Sequence, residues 1–307
     1  MIILHSGVNM LLGLVAAPFL LGVIHRTKAF FAGRRGPPLG QAYYDLGKLL
    51  RKGAVYSRTT SWIFRAAPSI GLASATIVMA LTPVAGAAAP LSFAGDLFLF
   101  AYGLGLMRFF TVAAALDTGS SFEGMGASRE VHFSALAEPA LILGIVSLAR
   151  VTGSLSLSGI FAGITPAAWA GAGPALPLVA VALLIVFLAE NARIPVDDPN
   201  THLELTMIHE VMVLDYGGVD LAFILYAAAL KLWVLGALIV NIFLPLSGLT
   251  GVPALAAFLG GMIALAALVG VIESAMARLR LLQVPHLLVG AGAIAALAFA
   301  LILRYTA

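Results

Sequence analysis

Residues 219–243 read VDLAFILYAAALKLWVLGALIVNIF, a long apolar run with only two charged side chains, Asp220 and Lys231. About 20 consecutive apolar residues form a helix that is long enough to cross a bilayer. This stretch therefore predicts a membrane-spanning helix, and it sets the fold class for the rest of the chain.

The composition of the whole chain agrees with a lipid environment. Hydrophobic residues make up 61% of the 307 residues, charged residues only 10%, and the mean hydropathy is +1.05. A soluble domain carries about 25% charged residues, so this chain cannot cover a fully water-facing surface. The small net charge of +3 gives no indication of nucleic-acid binding. We expect the lipid bilayer as a partner and no nucleic acid.

The predicted fold is all-α, a polytopic membrane protein with about eight transmembrane helices in a single integral membrane domain over residues 1–307. The predicted spans are Gly7–Ile24, Ala66–Ala89, Phe93–Leu116, Phe133–Val151, Pro174–Glu190, Val219–Phe243, Val252–Met276 and Val284–Leu303. Between the fourth and fifth spans, Gly153–Gly173 is rich in Gly, Ser and Pro, and we predict an exterior loop with a half-helix there.

Basic residues mark one side of this bundle. Nine of the 17 lysines and arginines fall between Arg26 and Arg65, and four more occupy the other connections on that side. Cytoplasmic loops of membrane proteins are enriched in lysine and arginine. We therefore expect both termini to face outward, and the long loops at about 26–65, 117–132, 191–218 and 277–283 to be cytoplasmic.

The first of these loops is predicted to contain a short helix. Gly36-Pro37-Pro38 forces a turn, and Gln41–Lys52 can then form a helix with its leucines on one side and its lysines and arginine on the other. Such a pattern is typical of an interfacial amphipathic helix. From periodicity alone, the simplest interpretation is an anchor to lipid headgroups.

Ionisable residues also lie at membrane depth. Glu138 falls in the fourth predicted span, Lys231 in the sixth, and Glu273 near the inner end of the seventh. Such groups are costly in a bilayer and indicate function by default. The alternative is a structural ion pair that fixes helix packing, for example between Glu138 and either Arg108 or Arg129.

The connection after the fifth span is the most acidic part of the chain. Glu190 and Arg193 are three residues apart and are predicted to pair across one helical turn. Asp198-Pro199 is typical of a helix start, and the predicted helix carries His202, Thr206 and His209 along one stripe. Carboxylates and histidines of this kind are the usual groups of a proton path.

Two metal-based alternatives compete with a proton path. His209-Glu210 begins like the zinc motif HExxH, but Val213 stands where the second histidine is needed, which disfavours zinc. A single haem near one face of the bundle is the other alternative, and it would use His25, His132 or His286. The sequence contains no cysteine, so this chain cannot hold a thiolate-ligated iron–sulfur cluster.

Three segments, taken in order, resemble a known family. The first loop resembles a pattern of RxGP followed by Q-x-x-x-D-x-x-K-L, through Arg35-Gly36-Pro37, Gln41, Asp45, Lys48 and Leu49. The acidic connection resembles A-E-x-x-R-x-P-x-D-x-P, through Ala189-Glu190, Arg193, Pro195, Asp197 and Pro199, and continues with Glu204-Leu205 and Asp215-Tyr216-Gly218. The family is the membrane subunit shared by respiratory complex I, where it is subunit 1 of the mitochondrial enzyme, and the energy-converting hydrogenases. With DTGSSFEGMGASRE, the chain is most similar to component C of hydrogenase-4 and its formate hydrogenlyase relatives.

The resemblance implies a membrane-anchoring and ion-coupling subunit that links electron transfer in a peripheral arm to proton or sodium translocation. The implied partners are hydrogenase-like large and small subunits, which carry a nickel–iron site and iron–sulfur clusters, and antiporter-like membrane subunits. No cofactor is expected on this chain itself, although the family's chamber accommodates a quinone. The implied location is the cytoplasmic (inner) membrane of a bacterium or archaeon.

The resemblance and the residue patterns together give two groups of candidate residues. The residues expected at the redox arm and chamber are Arg35, Asp45, Lys48, Arg129, His202 and His209. The residues expected in ion coupling are Glu138, Glu190, Arg193, Asp197, Glu204, Glu210, Asp215, Lys231 and Glu273. Of the second group, Lys231 and Glu273 rest mainly on their position within spans.

Three other functions stay open at this point. A quinone-binding subunit of a complex I-type oxidoreductase would carry bound quinone after purification. A stand-alone ion carrier would transport ions as an isolated chain. A purely structural anchor would tolerate loss of its intramembrane charges.

Overall fold

The computed structural model describes residues 2–198, 206–249 and 251–305, and the regular structure within these ranges is helical. The α-helices are α1 (Ile2–Phe31), α2 (Gln41–Leu49), α3 (Trp62–Ala80), α4 (Asp96–Asp117), α5 (Ser121–Thr152), α6 (Leu157–Gly163), α7 (Pro166–Ala172), α8 (Ala175–Glu190), α9 (Gly218–Phe243), α10 (Val252–Ala275) and α11 (Val284–Tyr305). Two short 3-10 helices, Glu210–Val213 and Leu246–Gly248, flank α9. The all-α class predicted from the sequence is confirmed.

Seven of the described helices are long and apolar enough to cross a membrane, namely α1, α3, α4, α5, α9, α10 and α11. The helix α8 is shorter, and α7 precedes it at an angle of 98°. If this bent pair forms one span, the total reaches the predicted eight. The predicted half-helix in Gly153–Gly173 corresponds to two short helices, α6 and α7.

Two predicted boundaries are wrong. The sequence predicts a span that reaches Ala89, but α3 ends at Ala80. Just beyond it, Pro83 disrupts the helix and Ala85 adopts a positive φ of 54°. The long helix α5 begins at Ser121, well before the predicted start of the fourth span at Phe133.

The packing order places α9 at the centre of the bundle. This helix contacts α1, α3, α8 and α10, and it contains Trp233, one of the largest fully buried side chains. The helix α10 packs against α1 and α9, whereas α11 packs against α5 and α8. The connection from α10 to α11 must therefore cross the basic end of the bundle, where the Leu279 N–H donates to the Pro195 carbonyl over 2.9 Å.

Candidate functional site

Charged side chains from α4, α5, α8 and the connection after α8 converge with Lys231 of α9 toward the lysine- and arginine-rich side of the bundle. Arg108 of α4 lies at their centre, with its side chain only 11% exposed. Its Nε is 3.2 Å from Oε1 of Glu130, while Nη1 pairs with Glu138 and Nη2 with Glu190. On α9, the Lys231 ammonium lies 3.5 Å from the second oxygen of Glu190. One guanidinium thus contacts three carboxylates inside the helix bundle, and the Lys231 ammonium contacts the second oxygen of one of them, Glu190.

His209 joins this centre to the connection between α8 and α9. Its Nε2 lies 3.1 Å from Oε2 of Glu130, and its Nδ1 lies 3.4 Å from Oδ2 of Asp197. The same Asp197 oxygen accepts hydrogen bonds from the backbone N–H groups of Ile208 and His209, at 3.3 and 3.1 Å. The imidazole therefore bridges a carboxylate on α5 and a carboxylate in the connection.

The surroundings favour the charged forms of both His209 and Asp197. Burial disfavours the imidazolium, but the carboxylate of Glu130 and the hydrogen bond to Asp197 outweigh it and raise the pKa of His209. Burial likewise opposes ionisation of Asp197, but the contacts with His209 and Arg278 lower the pKa of Asp197. Each member of the pair therefore favours the charged form of the other.

A second group of ion pairs lies between the same connection, α1 and α10. The buried Glu273 carboxylate is 2.8 Å from the Lys28 ammonium and 3.5 Å from Arg193 Nη1. The predicted pair of Glu190 with Arg193 is therefore wrong. The chain leaves the helix after Glu190, and Ala192 has a positive φ of 50°, so Arg193 turns toward α10 instead.

Arg278, in the crossing connection after α10, fixes the acidic connection in place. Its Nη2 is 2.9 Å from Oδ1 of Asp197 and also binds the Thr206 carbonyl. Arg129 secures the same segment, because its Nη1 donates to the Met207 carbonyl over 2.7 Å.

The sequence predicted that a structural ion pair of Glu138 would involve Arg108 or Arg129. The structure shows the pair with Arg108.

A cavity of about 380 Å³ opens beside the ion pairs. Its walls are largely apolar and come from α1, α2, α4 and α9, while Arg108, Glu130, Glu190, His209 and Lys231 form a charged side. Gln41 and Asp45 contribute from α2. The site thus combines an apolar chamber with buried, titratable groups.

Two tyrosines bind α2 and α9 to α1, and all three helices line this cavity. Pro18 lacks an N–H, which leaves the Leu14 carbonyl without its helical donor, and the Tyr226 hydroxyl donates to that carbonyl over 2.9 Å. The Tyr43 hydroxyl of α2 donates to the neighbouring Val15 carbonyl. The predicted amphipathic helix α2 is therefore fastened to α1 at the cavity's edge.

The other predicted residues are distributed as follows. Glu210 lines the cavity, whereas Arg35 and Lys48 are away from its lining. Asp215 lies outside the ion pairs, and its N–H donates to Glu123 over 3.2 Å. His202 and Glu204 lie outside the described residues. Residues 206–209 form no helix, and a 3-10 helix follows them, so this part of the helix predicted from Asp198 is wrong.

Three participants in the ion pairs were not among the predicted site residues, namely Lys28, Glu130 and Arg278, and Arg108 was predicted only as a structural partner of Glu138. A signal for Glu130 existed, because Glu123, Glu130 and Ala137 recur at intervals of seven and share one buried face of α5. Among the described residues, no group of three His, Asp or Glu side chains has the arrangement of a metal site.

The fold and the site together define a polytopic membrane protein with a buried ion-pair network and an adjoining chamber. The chain belongs to the NADH dehydrogenase family, whose model matches residues 5–304. It is 32% identical over 295 residues to formate hydrogenlyase subunit 4 of Escherichia coli K12, covering 94% of each chain. It is also 32% identical over 236 residues to hydrogenase-4 component C of the same organism, covering 76% of this chain and 72% of the relative.

A solved structure shows the same fold. The match is a chain in the structure of the membrane-bound sulfane sulfur reductase, an archaeal respiratory membrane complex. The TM-score is 0.80 with 22% identity, over 98% of this chain and 99% of the other. The predicted family resemblance is confirmed, and this is a membrane subunit of the type found in redox complexes.

Proposed function

We propose that this chain anchors a peripheral redox arm to the membrane and couples electron transfer in that arm to movement of protons or sodium ions. The supporting observation is the continuous series of contacts from Glu138 through Arg108, Glu130 and His209 to Asp197. This series joins membrane depth to a connection on the basic side of the bundle. A membrane anchor alone would not need it.

The proposed partners follow from the relatives. Formate hydrogenlyase subunit 4 and hydrogenase-4 component C are named as parts of hydrogen-metabolising enzymes. We assign the nickel–iron site and the iron–sulfur clusters to peripheral subunits that dock on the basic side. Antiporter-like membrane subunits would receive the ion-coupling signal, and the assembly would lie in the cytoplasmic membrane of a bacterium or archaeon.

The contacts provide a physical route for coupling. A redox event in the peripheral arm displaces residues 206–217 before α9, and His209 then moves away from Glu130. Removing one partner of a buried ion pair leaves an uncompensated charge, which costs about 3–5 kcal/mol. Glu130 then competes more strongly for Arg108, and the hold of Arg108 on Glu138 weakens. Glu138, whose side chain is 45% exposed, can take up a proton to restore the balance.

The substitution Glu138→Gln tests this proposal. It keeps the shape of the side chain but removes the titratable group, so ion translocation by the assembled complex should be lost while the arm's redox activity persists. The measurement is ion uptake into vesicles that contain the whole complex, alongside the redox assay. Asp96→Asn is the control, because Asp96 lies at the opposite end of α4 and binds the Leu157 N–H and Ser156, outside the ion-pair series. Translocation that persists in Glu138→Gln would instead support a structural anchor.

The cavity favours a second candidate function, binding of a quinone. Its volume of about 380 Å³ lies within the range of about 300–1,000 Å³ that small-molecule sites occupy. Its apolar walls suit a ring and tail, and the amide of Gln41 and the guanidinium of Arg108 have N–H groups that can donate to carbonyl oxygens. A bound quinone would supply two-electron redox chemistry, while these side chains would position it and hold protons nearby.

A further inference from the structure

Glu123 is a buried carboxyl that lies outside the site described above. It occupies the first turn of α5 and is only 1% exposed. Its Oε1 accepts the Asp215 N–H over 3.2 Å, while its buried Oε2 has no hydrogen-bond partner in the described part of the chain. No ion pair among the described residues includes it. Such a group needs an explanation, because buried carboxylates are normally paired.

Helix capping does not supply that explanation. Ser120 and Glu123 have the S-x-x-E spacing of a capping box, in which the glutamate accepts the N–H of the N-cap residue. Here Ser120 is the N-cap, but its N–H donates to Thr118 Oγ1 over 3.1 Å. The Glu123 carboxyl is therefore not used to complete the helix end.

The surroundings of Glu123 are acidic. Tyr216 packs among Asp117 of α4, Asp220 of α9 and Glu123, and burial together with these carboxylates raises the pKa of Tyr216. The Asp215 backbone contacts Glu123 directly. Neighbouring like charges and burial both disfavour the ionised form of a carboxyl. They act against the hydrogen bond from the Asp215 N–H and the helix N-terminus, which favour it.

The basic side chain Arg65 contacts this acidic group through Tyr56 and forms no described ion pair with Glu123. Its guanidinium lies 4.9 Å from the centre of the Tyr56 ring, and Tyr56 in turn bonds to Asp220. No described ion pair neutralises Glu123, and a bound proton is the simplest neutralising group.

We propose that Glu123 is a second proton-exchange site of this chain, protonated in this conformation and distinct from the ion-paired carboxylates. When the segment His209–Tyr216 moves away, water reaches the carboxyl and accepts its proton, which leaves the Glu123 carboxylate. Proton exchange at Glu123 would add a second site to the ion coupling proposed above, and this inference rests on that proposed function.

One segment would control both sites. His209 at its start contacts Glu130, and Asp215 near its end contacts Glu123. On α5 the two glutamates share one face and are separated by about 10 Å, at 1.5 Å per residue. A displacement of the segment therefore removes the His209 side chain from Glu130 and uncovers Glu123 at the same time. The release of a proton on the basic side would accompany the change at membrane depth.

Infrared spectroscopy of the purified complex tests this assignment without turnover. At neutral pH, the difference spectrum of wild type minus Glu123→Gln should contain the carbonyl band of a protonated carboxylic acid. The control is Asp45→Asn, an exposed carboxyl bonded to Gln41, whose difference spectrum should lack that band. A Glu123→Gln difference spectrum without the band, or one containing only carboxylate bands, would overturn the proposal.

Thermal unfolding gives a second readout that does not depend on spectral assignment. Glutamine resembles a protonated glutamic acid in shape and charge, so Glu123→Gln should unfold at the wild-type temperature near pH 7. A marked fall would show that Glu123 is an anion with a structural role. Both measurements are independent of ion transport. If the carboxylic-acid band is present but Glu138→Gln still translocates ions, the proposed function is rejected and the protonation of Glu123 still holds.

Discussion

At the scale of single residues, the imidazole of His209 lies between two carboxylates, Glu130 and Asp197. These carboxylates raise the pKa of His209 above its ordinary value of 6.5. The stabilisation from this bridge is therefore fully present below pH 6.5 and is lost as the pH rises through the raised pKa. Hydrogen bonds to charged groups contribute about 1.5–3 kcal/mol, which sets the size of the expected loss.

Hydrogen exchange of the Ile208 and His209 amides, both bound by Asp197, measures that loss. Their protection relative to His209→Gln should decline as the pH rises above 6.5 and through the raised pKa of His209. Glutamine cannot become a cation, so the protection of these two amides in His209→Gln should not show the decline that loss of the imidazolium causes in wild type. If wild type and variant show the same pH profile, the imidazole is not the titrating group.

Residue types in the site were predictable from the sequence, but several of their partners were not. Charged residues within spans drew attention to Glu138, Lys231 and Glu273, and all three form ion pairs. The partner of Glu190 could not be predicted from spacing, because the backbone turns out of the helix at Ala192. Arg108 lies 82 residues from Glu190 in sequence, and only the packing of α4 and α8 against α5 brings them together.

At the scale of helices, Gly126 of α5 allows the segment that carries His209 to pack closely against this helix. A Cβ atom there would collide with the Val211 side chain and lie 3.0 Å from the Ile208 carbonyl oxygen. Gly126→Ala should therefore displace the segment and destabilise the protein by about 1–3 kcal/mol, the usual effect of overpacking. Thermal unfolding of the complex measures the change, and the proposed coupling should weaken with it.

The same helix provides a matched control at Gly124. A Cβ atom at Gly124 meets nothing within 4 Å, and alanine is favoured over glycine in a helix by about 0.5–1 kcal/mol. Gly124→Ala should thus be neutral or stabilising. If Gly126→Ala and Gly124→Ala change the thermal stability equally, close packing of the segment is not the reason that glycine is needed at position 126.

At the scale of the whole molecule, hydropathy predicted the spans but not their arrangement. In a bundle within lipid, both the interior and the outer faces of a helix are apolar, so periodicity does not show which side packs. The crossing connection that carries Arg278 and the position of α10 beside α1 therefore emerged only from the structure. The chamber has the same origin, since its walls come from helices far apart in sequence.

That chamber leads to a prediction about the second candidate function. Ala228 on α9 lines the cavity and is itself exposed there, so tryptophan at this position can enter the space without disturbing the core. Ala228→Trp should weaken binding of a short-chain quinone to the purified complex by about tenfold or more, equivalent to about 1.4 kcal/mol. Equilibrium titration of the complex with that quinone provides the measurement. Val181→Trp is the control, because Val181 is 46% exposed on α8 and does not line the cavity. If wild type binds no quinone, or if Ala228→Trp binds it as wild type does, the chamber is not a quinone site, and ion coupling through the buried pairs then stands without it.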